Sequence, residues 1–226
     1  SYIFLYAERK ESVRRQAEAA GKRAVDLDPE SAQAQASFAV ALSLGGRGEE
    51  AEKLFESAVK IDPELFEAWY FYARHCFVKG ETEKAIRLYE EARRVRPDDY
   101  QAPLLMAQLY EETGQPEKAR DSQRRGIELV EARIELHPDD VRALYMGANG
   151  FICLGEKERG LKWNRRAREI APDESMVLYN LGCNYAMAGE PDEALSCLEK
   201  AVALGLTQKG WFAHDGNLDS LRKLPR

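Results

Sequence analysis

The stretch from Phe66 to Pro97 reads FEAWYFYARHCFVKGETEKAIRLYEEARRVRP, and the rest of the chain repeats its pattern. Apolar and small residues recur at helical spacing on each side of Gly80. Glycine commonly follows the last residue of a helix, and proline cannot continue one. The stretch therefore predicts two antiparallel helices, the first ending near Gly80 and the second before Pro97.

The same pattern recurs every 34 residues along most of the chain. Pro29, Pro63 and Pro97 are 34 residues apart, as are Pro138 and Pro172, and one step of 41 residues separates the two series. The turn glycines keep this spacing, at Gly46, Gly80, Gly114, Gly155 and Gly189. Small residues form three more columns, at Ala39, Ala73, Ala107, Ala148 and Gly182, at Ala51, Ala85, Ala119, Gly160 and Ala194, and at Ala58, Ala92, Gly126, Ala167 and Ala201. So many positions in phase indicate an internal repeat.

The order of residues within one unit resembles the tetratricopeptide repeat (TPR) family. Trp69, Tyr72 and Ala73 in the first helix, followed by Tyr89 and Pro97, match the spacing of that family. The resemblance extends over nearly the whole chain. It implies an all-α fold, a right-handed α-solenoid of antiparallel helix pairs. In such a fold small residues let the helices approach closely, and stacked repeats supply the core.

The spacing divides residues 1–206 into six repeats, followed by a C-terminal segment at 207–226. Residues 1–29 are expected to form a degenerate first repeat, with a shortened first helix from Ser1 to Glu8. The further repeats span 32–63, 66–97, 100–138, 141–172 and 175–206. The fourth repeat has seven additional residues after Gly126, and they predict a continuous second helix from about 116 to 136.

The C-terminal segment does not follow the repeat. Trp211, Phe212, Leu218 and Leu221 are expected to cover the apolar edge of the sixth repeat, since a stacked array needs a cap. The segment is also similar to the region after TPR arrays in bacterial signalling proteins that carry an adenylate cyclase, a protein kinase or a winged-helix regulator. We therefore expect the chain to be part of a longer protein.

Composition limits the classes of function. The chain has 226 residues and a net charge of −6, which disfavours a nucleic-acid backbone as its main partner. No apolar run approaches the roughly 20 residues that span a bilayer. The cysteines are Cys76, Cys153, Cys183 and Cys197. They contain no CxxC pair, so we expect buried, reduced thiols and a cytoplasmic location.

Motifs that carry chemistry are missing from the sequence. It contains no phosphate-binding loop, no G-x-S-x-G and no His and Cys at metal-ligand spacing. His75, His137 and His214 lie far apart along the chain. Asp215 follows His214, but a capping turn explains this pair better than catalysis. We expect no enzymatic activity, no cofactor and no bound metal.

The resemblance implies that the first helices of successive repeats line a concave groove that binds a peptide. Carried over by position, the groove residues are Tyr70, Arg74, Phe77, Gln101, Gln108, Glu111, Arg142, Tyr145, Asn149, Ile152, Tyr179, Asn180 and Cys183. Tyrosine and arginine are common in binding hot spots because they provide large contact areas and directed hydrogen bonds. The alternative for each of these side chains is packing between repeats.

The sequence thus favours a non-catalytic protein- or peptide-binding scaffold, the partner-binding or regulatory region of a larger bacterial signalling protein. Chaperone-tail binders of the family hold a terminal carboxylate with lysines, but here the corresponding positions are Ala36, Tyr70 and Leu104. Two alternatives stay open. One is self-association into a homo-oligomer through the terminal edges of the array, and the other is an enzyme built on a helical array.

Overall fold

In a computed structural model of the protein, residues 11–206, 212–213 and 215–222 are described. The expected helix from Ser1 to Glu8, together with Trp211 and His214, lies outside this part of the chain. The helices are α1 Glu11–Leu27, α2 Ala32–Leu44, α3 Gly48–Ile61, α4 Phe66–Val78, α5 Thr82–Val95, α6 Gln101–Glu112, α7 Pro116–Leu136, α8 Val141–Cys153, α9 Lys157–Ile170, α10 Ser175–Met187, α11 Pro191–Ala203 and α12 Asp219–Arg222. A single 3-10 turn, Gly216–Leu218, precedes α12. The described residues contain no β-strand, so the prediction of an all-α repeat fold is confirmed.

The chain forms two compact units. Residues 1–115 make up the first, which contains α1 to α6, and residues 116–226 make up the second, which contains α7 to α12. The boundary falls inside the predicted fourth repeat, so that α6 belongs to the first unit and α7 to the second. Each unit is described by itself below.

Helices pair in the same way within each unit. In the first unit α2 packs on α3 and α4 packs on α5, and the two pairs meet through α2–α4 and α3–α4 contacts. In the second unit α8 packs on α9 and α10 on α11, and these pairs meet through α8–α10 and α9–α10 contacts. One helix pair cannot bury its apolar stripe alone, so the neighbouring pair completes the core.

The turn between paired helices has the geometry that the glycine column predicts. Gly80 has a φ of 75°, and the backbone N–H of Glu81 donates to the carbonyl oxygen of Cys76 at 2.9 Å. This is the helix-ending motif in which a residue in the left-handed conformation turns the chain, so that the next backbone N–H donates to a carbonyl group of the last helical turn. The second helix ends two residues before the recurrent proline, as α5 does at Val95 before Pro97. The glycine and proline columns therefore mark where the first and the second helix of a pair end.

The long helix α7 runs without a break from Pro116 to Leu136, the range that the sequence predicts. Its additional turns bury Val130 and Ile134. Glycines on α8 make this contact possible, because a Cβ at Gly147 would lie 2.6 Å from Trp163 and 2.7 Å from Val130. Gly147 therefore lies at a close contact between α8 and its two neighbours α7 and α9.

Replacing Gly147 by alanine tests this contact. Alanine favours a helix by about 1 kcal/mol over glycine, but its Cβ would overlap Trp163 and Val130. We expect a net loss of about 1–3 kcal/mol in the free energy of unfolding, measured by urea denaturation. Gly48→Ala is the control, since its Cβ would lie 3.5 Å from the His75 ring, an ordinary contact. A Gly147→Ala protein as stable as the parent would contradict the proposed packing.

Polar groups join the second and third repeats in the first unit. Glu52 on α3 forms ion pairs with Lys79, at 2.8 Å, and with Lys84. These hydrogen-bonded ammonium groups lower the pKa of Glu52 to about 2. His75 is 5 % exposed on α4, and its Nδ1 lies 2.8 Å from the Ser43 hydroxyl of α2. The contact between α2 and α4 therefore buries the imidazole ring of His75 near the ion pairs of Glu52.

Burial of His75 predicts a pH-dependent stability. Desolvation is the main cause that lowers the pKa of His75 below 6.5, followed by the charge of Lys79, while Glu52 and Glu81 oppose the shift. The imidazole therefore contributes stability that is complete above pH 6.5 and is lost as the pH falls through the lower pKa of the folded state. We expect the parent to lose about 1 kcal/mol between pH 7 and 5.5 and His75→Gln to lose less, by urea denaturation. His137→Gln, at an exposed position, is the control, and identical profiles for the His75 variant and the parent would disprove the effect.

Candidate binding surfaces on the first helices

Charge is distributed unequally between the two helices of each pair. The first helices α2, α4, α6, α8 and α10 contain five residues of Asp, Glu, Lys or Arg, whereas α9 alone contains eight. The five are Glu67, Arg74, Glu111, Glu112 and Arg142. Several other side chains on these helices are half-buried, so they combine low charge with partial access to solvent. We call the partly exposed side chains of these helices, taken within each unit by itself, the first-helix surface of that unit.

In the first unit, hydrogen bonds organise the first-helix surface around Arg74. Its Nη1 donates to the Tyr70 hydroxyl at 3.4 Å, and that hydroxyl donates to Gln101 Oε1 on α6 at 3.1 Å. Gln101 Nε2 then donates to Oδ1 of Asp99 at 3.2 Å. Asp99 is buried, which raises its pKa, although its Oδ2 accepts the Ala102 N–H at 2.8 Å. Together these bonds connect a half-buried guanidinium group to a buried carboxyl group.

Aromatic side chains surround this hydrogen-bonded chain. Tyr70 is 3 % exposed, and the ring of Phe71 meets it edge-on with centroids 5.2 Å apart. Phe71 and Phe77 are half-buried, whereas Tyr72 is buried under Lys84, whose Nζ lies 4.8 Å from the ring centroid. Of the six aromatic residues on α4, Trp69, Phe71 and Phe77 therefore remain partly accessible. Trp69 is also half-buried, and its indole N–H donates to the carbonyl oxygen of Pro63.

The remaining predicted residues of the first unit lie on α6. Gln101 and Gln108 are half-buried, and Glu111 is exposed near the end of the helix. Among the three first helices of this unit, Arg74 is the only arginine or lysine. His75 is the one other group on them that could carry a positive charge, and its burial disfavours protonation. The surface of this unit thus presents one basic group among aromatic and amide side chains.

In the second unit, asparagines join the first helices α8 and α10. Asn149 Nδ2 donates to Oδ1 of Asn184 at 3.1 Å and lies 3.3 Å from the sulfur of Met187. Asn184 Nδ2 contacts the carbonyl oxygen of Tyr145 and Oδ1 of Asn164, each at 2.9 Å. Asn149, one of the predicted groove residues, is therefore engaged with the neighbouring helix pair.

The sequence analysis did not predict the two other asparagines of this network, Asn164 and Asn184. Asn164 is fully buried, and its Nδ2 donates to the carbonyl oxygen of Leu181 at 3.1 Å. The position of Asn164 between Leu161 and Ala167, in the apolar stripe of α9, is the sequence pattern that could have revealed it.

The predicted residues Arg142, Tyr145, Ile152 and Asn180 are half-buried. The Asn180 side chain bonds within its own helix, to the carbonyl oxygen of Met176 at 2.7 Å.

Tyr179 and Cys183 are buried by the C-terminal segment. The Tyr179 hydroxyl donates to Oδ2 of Asp215 at 2.7 Å, and Phe212 meets the tyrosine ring edge-on. Cys183 lies 3.6 Å from the same carboxylate oxygen, and Leu218 is also buried. Burial raises the pKa of both Tyr179 and Cys183. These two predicted groove residues therefore take part in packing and are not open to solvent.

Comparisons with known proteins agree with this architecture. Family models described as tetratricopeptide repeat match residues 6–66, 45–89, 77–122 and 175–205, which together exceed half of the sequence. The chain belongs to the tetratricopeptide repeat family. Among curated proteins, none matches this TPR sequence significantly.

Solved structures of other proteins share the fold. TTC0263 of Thermus thermophilus is 19 % identical with a TM-score of 0.64, over 85 % of this chain and 100 % of that one. A chain of the APC/C hetero-tetramer Cut9–Hcn1 is 18 % identical with the same TM-score, over 85 % of this chain and 37 % of that one. YrrB, a TPR protein with an unusual peptide-binding site, is 22 % identical with a TM-score of 0.50, over 85 % of this chain and 96 % of that one. At these identities the likeness establishes the fold alone.

The cysteines of this TPR protein do not all behave as the sequence predicts. Cys76, Cys183 and Cys197 are buried free thiols, as expected. Cys153 is exposed, which corrects the prediction for that residue. It is the last residue of α8, and its sulfur lies 3.8 Å from Oδ1 of Asn149. The end of a first helix is less covered than its middle, and helical spacing alone does not distinguish the two.

The described residues of this TPR chain include neither a metal-binding cluster nor a membrane-spanning helix. No group of three or more His, Cys, Asp or Glu side chains in the described part is arranged to hold a metal ion. None of the helices there combines the length and the apolar character that a membrane span requires.

The asparagine network makes a stability prediction for the second TPR unit. Asn184→Ala removes the partner of Asn149 and leaves buried Asn164 short of a hydrogen bond. We expect a loss of about 2–3 kcal/mol in the free energy of unfolding, measured by urea denaturation. Asn180→Ala is the matched control, because its bond to Met176 stays within α10, and it is expected to cost under about 1 kcal/mol. Equal losses for the two variants would contradict the bridging role of Asn184.

Proposed function

We propose that the protein is a non-catalytic scaffold in which the first-helix surface of each unit binds a protein or peptide segment. The observation that carries this proposal is the low charge of the first helices, which leave aromatic, amide and methionine side chains partly exposed. The second helices carry most of the charge and provide a solvated exterior. A partner segment can bury the apolar side chains while arginine and amide groups fix its position.

The titratable groups with the largest pKa shifts lie where neighbouring elements pack together, and this location favours a structural role for them. Glu52, Tyr72 and Lys84 form one cluster between the second and third repeats. Tyr179 and Cys183 share the carboxylate of Asp215 under the C-terminal segment. Functional acids and bases are usually perturbed in a cleft that a substrate can enter. Here the perturbed groups lie in contacts between neighbouring elements, which favours binding over catalysis.

We place this binding function in a larger bacterial signalling protein, as its regulatory or partner-recruiting region in the cytoplasm. The support is a resemblance, read from the sequence alone, between the C-terminal segment and regions that follow TPR arrays in such proteins. The partner is a protein or peptide and not a nucleic acid, since the chain has a net charge of −6. YrrB has a peptide-binding site and Cut9–Hcn1 is a protein assembly, so both ligand classes have precedents on this fold.

Substitutions on the first-helix surface test the proposed function. The 226-residue chain would be immobilised and used to select binders from a random 12-residue peptide library, and affinities would be measured by biolayer interferometry. We expect Phe77→Asp with Ile152→Asp, one change in each unit, to weaken the selected peptides at least about tenfold. Phe77 and Ile152 are half-buried, so an introduced carboxylate would oppose burial against an apolar ligand.

The control makes the same chemical change on second helices. Leu136 and Ile170 are 78 % and 42 % exposed, and Leu136→Asp with Ile170→Asp should leave peptide affinity unchanged. Circular dichroism would establish that both double variants keep the helical content of the parent. Equal loss of affinity in the two, or selection of no peptide at all, would overturn the proposed function. Binding of a second copy of the chain, detected by light scattering, would instead support self-association.

A further inference from the structure

We propose that helix α9 of the second unit binds an acidic segment of a partner protein through three exposed cations, Lys162, Arg165 and Arg166. We call these three side chains the α9 basic face. Its ligand is a run of Asp or Glu side chains. Because α9 is a second helix, this site lies outside the first-helix surface, and it adds a second class of partner to the proposed function.

The charge of α9 differs from that of every other second helix in the described part of the chain. It contains six basic residues and two acidic ones, in a chain whose net charge is −6. In α1, α3, α5, α7 and α11, basic residues outnumber acidic ones by at most one. Attraction for an acidic ligand is therefore concentrated at α9.

The three cations of the α9 basic face are neighbours on the helix surface. Arg165 follows Lys162 by three residues and Arg166 follows it by four, which is the spacing of adjacent side chains on a helix. All three residues are exposed. Like charges at this spacing repel each other and destabilise the helix. An anionic ligand would remove this repulsion, so its binding is favoured electrostatically.

Carboxylates of the protein neutralise the basic groups at the start of α9. Lys157 forms an ion pair with Glu190 at 2.9 Å. Arg159 forms ion pairs with Glu131 on α7 and with Glu156. These two cations therefore have internal partners and are not part of the proposed site.

Nearer the end of α9, the contacts of the basic groups are to neutral oxygen atoms. Nη2 of Arg166 donates to the carbonyl oxygen of Pro138, and Nη2 of Arg168 donates to the Ser196 hydroxyl at 3.2 Å. Arg168 lies in the last turn, where the helix dipole favours a cation. Arg166 lies before that turn, and its contact with a neutral carbonyl group leaves its positive charge uncompensated.

Lys162 and Arg165 are the cations of α9 that nothing in the described part of the chain neutralises. Neither forms an ion pair or a hydrogen bond with another described residue. Glu158 and Glu169 lie four residues from Lys162 and Arg165, respectively, but do not pair with them. Both cations precede the last turn, so the helix dipole does not account for them. They can therefore bind carboxylates of another molecule, Arg165 through paired hydrogen bonds.

The surroundings of the α9 basic face favour a narrow ligand. Hydrogen bonds connect α7 with the start of α9 and α11 with its end. These flanking helices present exposed carboxylates, Glu135 on α7 and Asp192 and Glu193 on α11. A flat anionic membrane or a nucleic-acid duplex would bring phosphates close to them and be repelled. A single acidic segment can follow α9 without covering its neighbours.

The experiment measures the fluorescence anisotropy of a labelled peptide mixed with the 226-residue chain. The probe is a peptide of alternating Glu and Gly residues, and its control is a peptide of alternating Gln and Gly residues. We expect the Gln peptide to bind at least about tenfold more weakly than the Glu peptide. Raising the salt concentration from about 0.05 M to about 0.5 M should weaken the Glu peptide, because salt screens exposed charges.

Paired substitutions test whether this binding depends on α9. Lys162→Gln with Arg165→Gln should weaken the Glu peptide at least about fivefold. Arg87→Gln with Arg93→Gln removes the same charge from exposed positions on α5 and should leave the affinity unchanged. Lys162→Arg with Arg165→Lys keeps both charges and should retain the binding. Circular dichroism would establish that each variant keeps the helical content of the parent.

Several results would overturn this assignment. Equal affinities for the Glu and Gln peptides would show that the α9 basic face does not select carboxylates. Equal losses in the two Gln double variants would show that net charge alone controls binding. Binding to phosphatidylserine vesicles but not to the Glu peptide would identify a membrane as the ligand.

Self-association would also contradict a separate partner. Light scattering would detect dimers of the parent, and their loss in the variant with Lys162→Gln and Arg165→Gln would identify a second copy of the chain as the ligand. The test of the first-helix surface uses different peptides and different variants. Failure of one proposal is therefore distinguishable from failure of the other.

Discussion

The structure depends on the close approach of paired helices at small residues. In the second unit, a Cβ at Gly160 would lie 2.8 Å from the carbonyl oxygen of Ala148, and one at Gly182 would lie 2.8 Å from Leu198. A backbone carbonyl group cannot rotate aside, so the separation of α8 and α9 leaves no room for a larger residue. Tight pairing directs the side chains at the other positions either to the neighbouring pair or to solvent.

Periodicity in the sequence was sufficient to predict the helices but not the use of each side chain. The glycine and proline columns mark helix ends because their effect on the backbone is local, and the seven additional residues had to lengthen α7. Asn149 is different, since its role depends on Asn184 in the next repeat. A residue facing a neighbouring helix and one facing solvent can occupy equivalent positions in two repeats. For that reason the predicted groove residues divide into those that remain half-buried, such as Phe77 and Tyr145, and those that are buried, such as Tyr179.

Equivalent tyrosines show how the C-terminal segment completes the second unit. Tyr70 and Tyr179 occupy the same position in their repeats. Tyr70 donates to Gln101 on the following first helix, and Tyr179 donates to Asp215 in the C-terminal segment. The segment thus contacts α10 at the position where a further repeat would place its first helix. This could not be read from periodicity, because the segment does not share the repeat pattern.

The unequal burial of the four cysteines has a practical consequence. Cys76, Cys183 and Cys197 are buried, and burial raises the pKa of each thiol, that of Cys76 to about 12. A maleimide reagent at neutral pH reacts with an accessible thiolate, so Cys153 is the preferred target. It ends a first helix, beside Asn149. The sequence therefore provides a single attachment point for a fluorophore, on a first helix of the second unit, without any engineered cysteine.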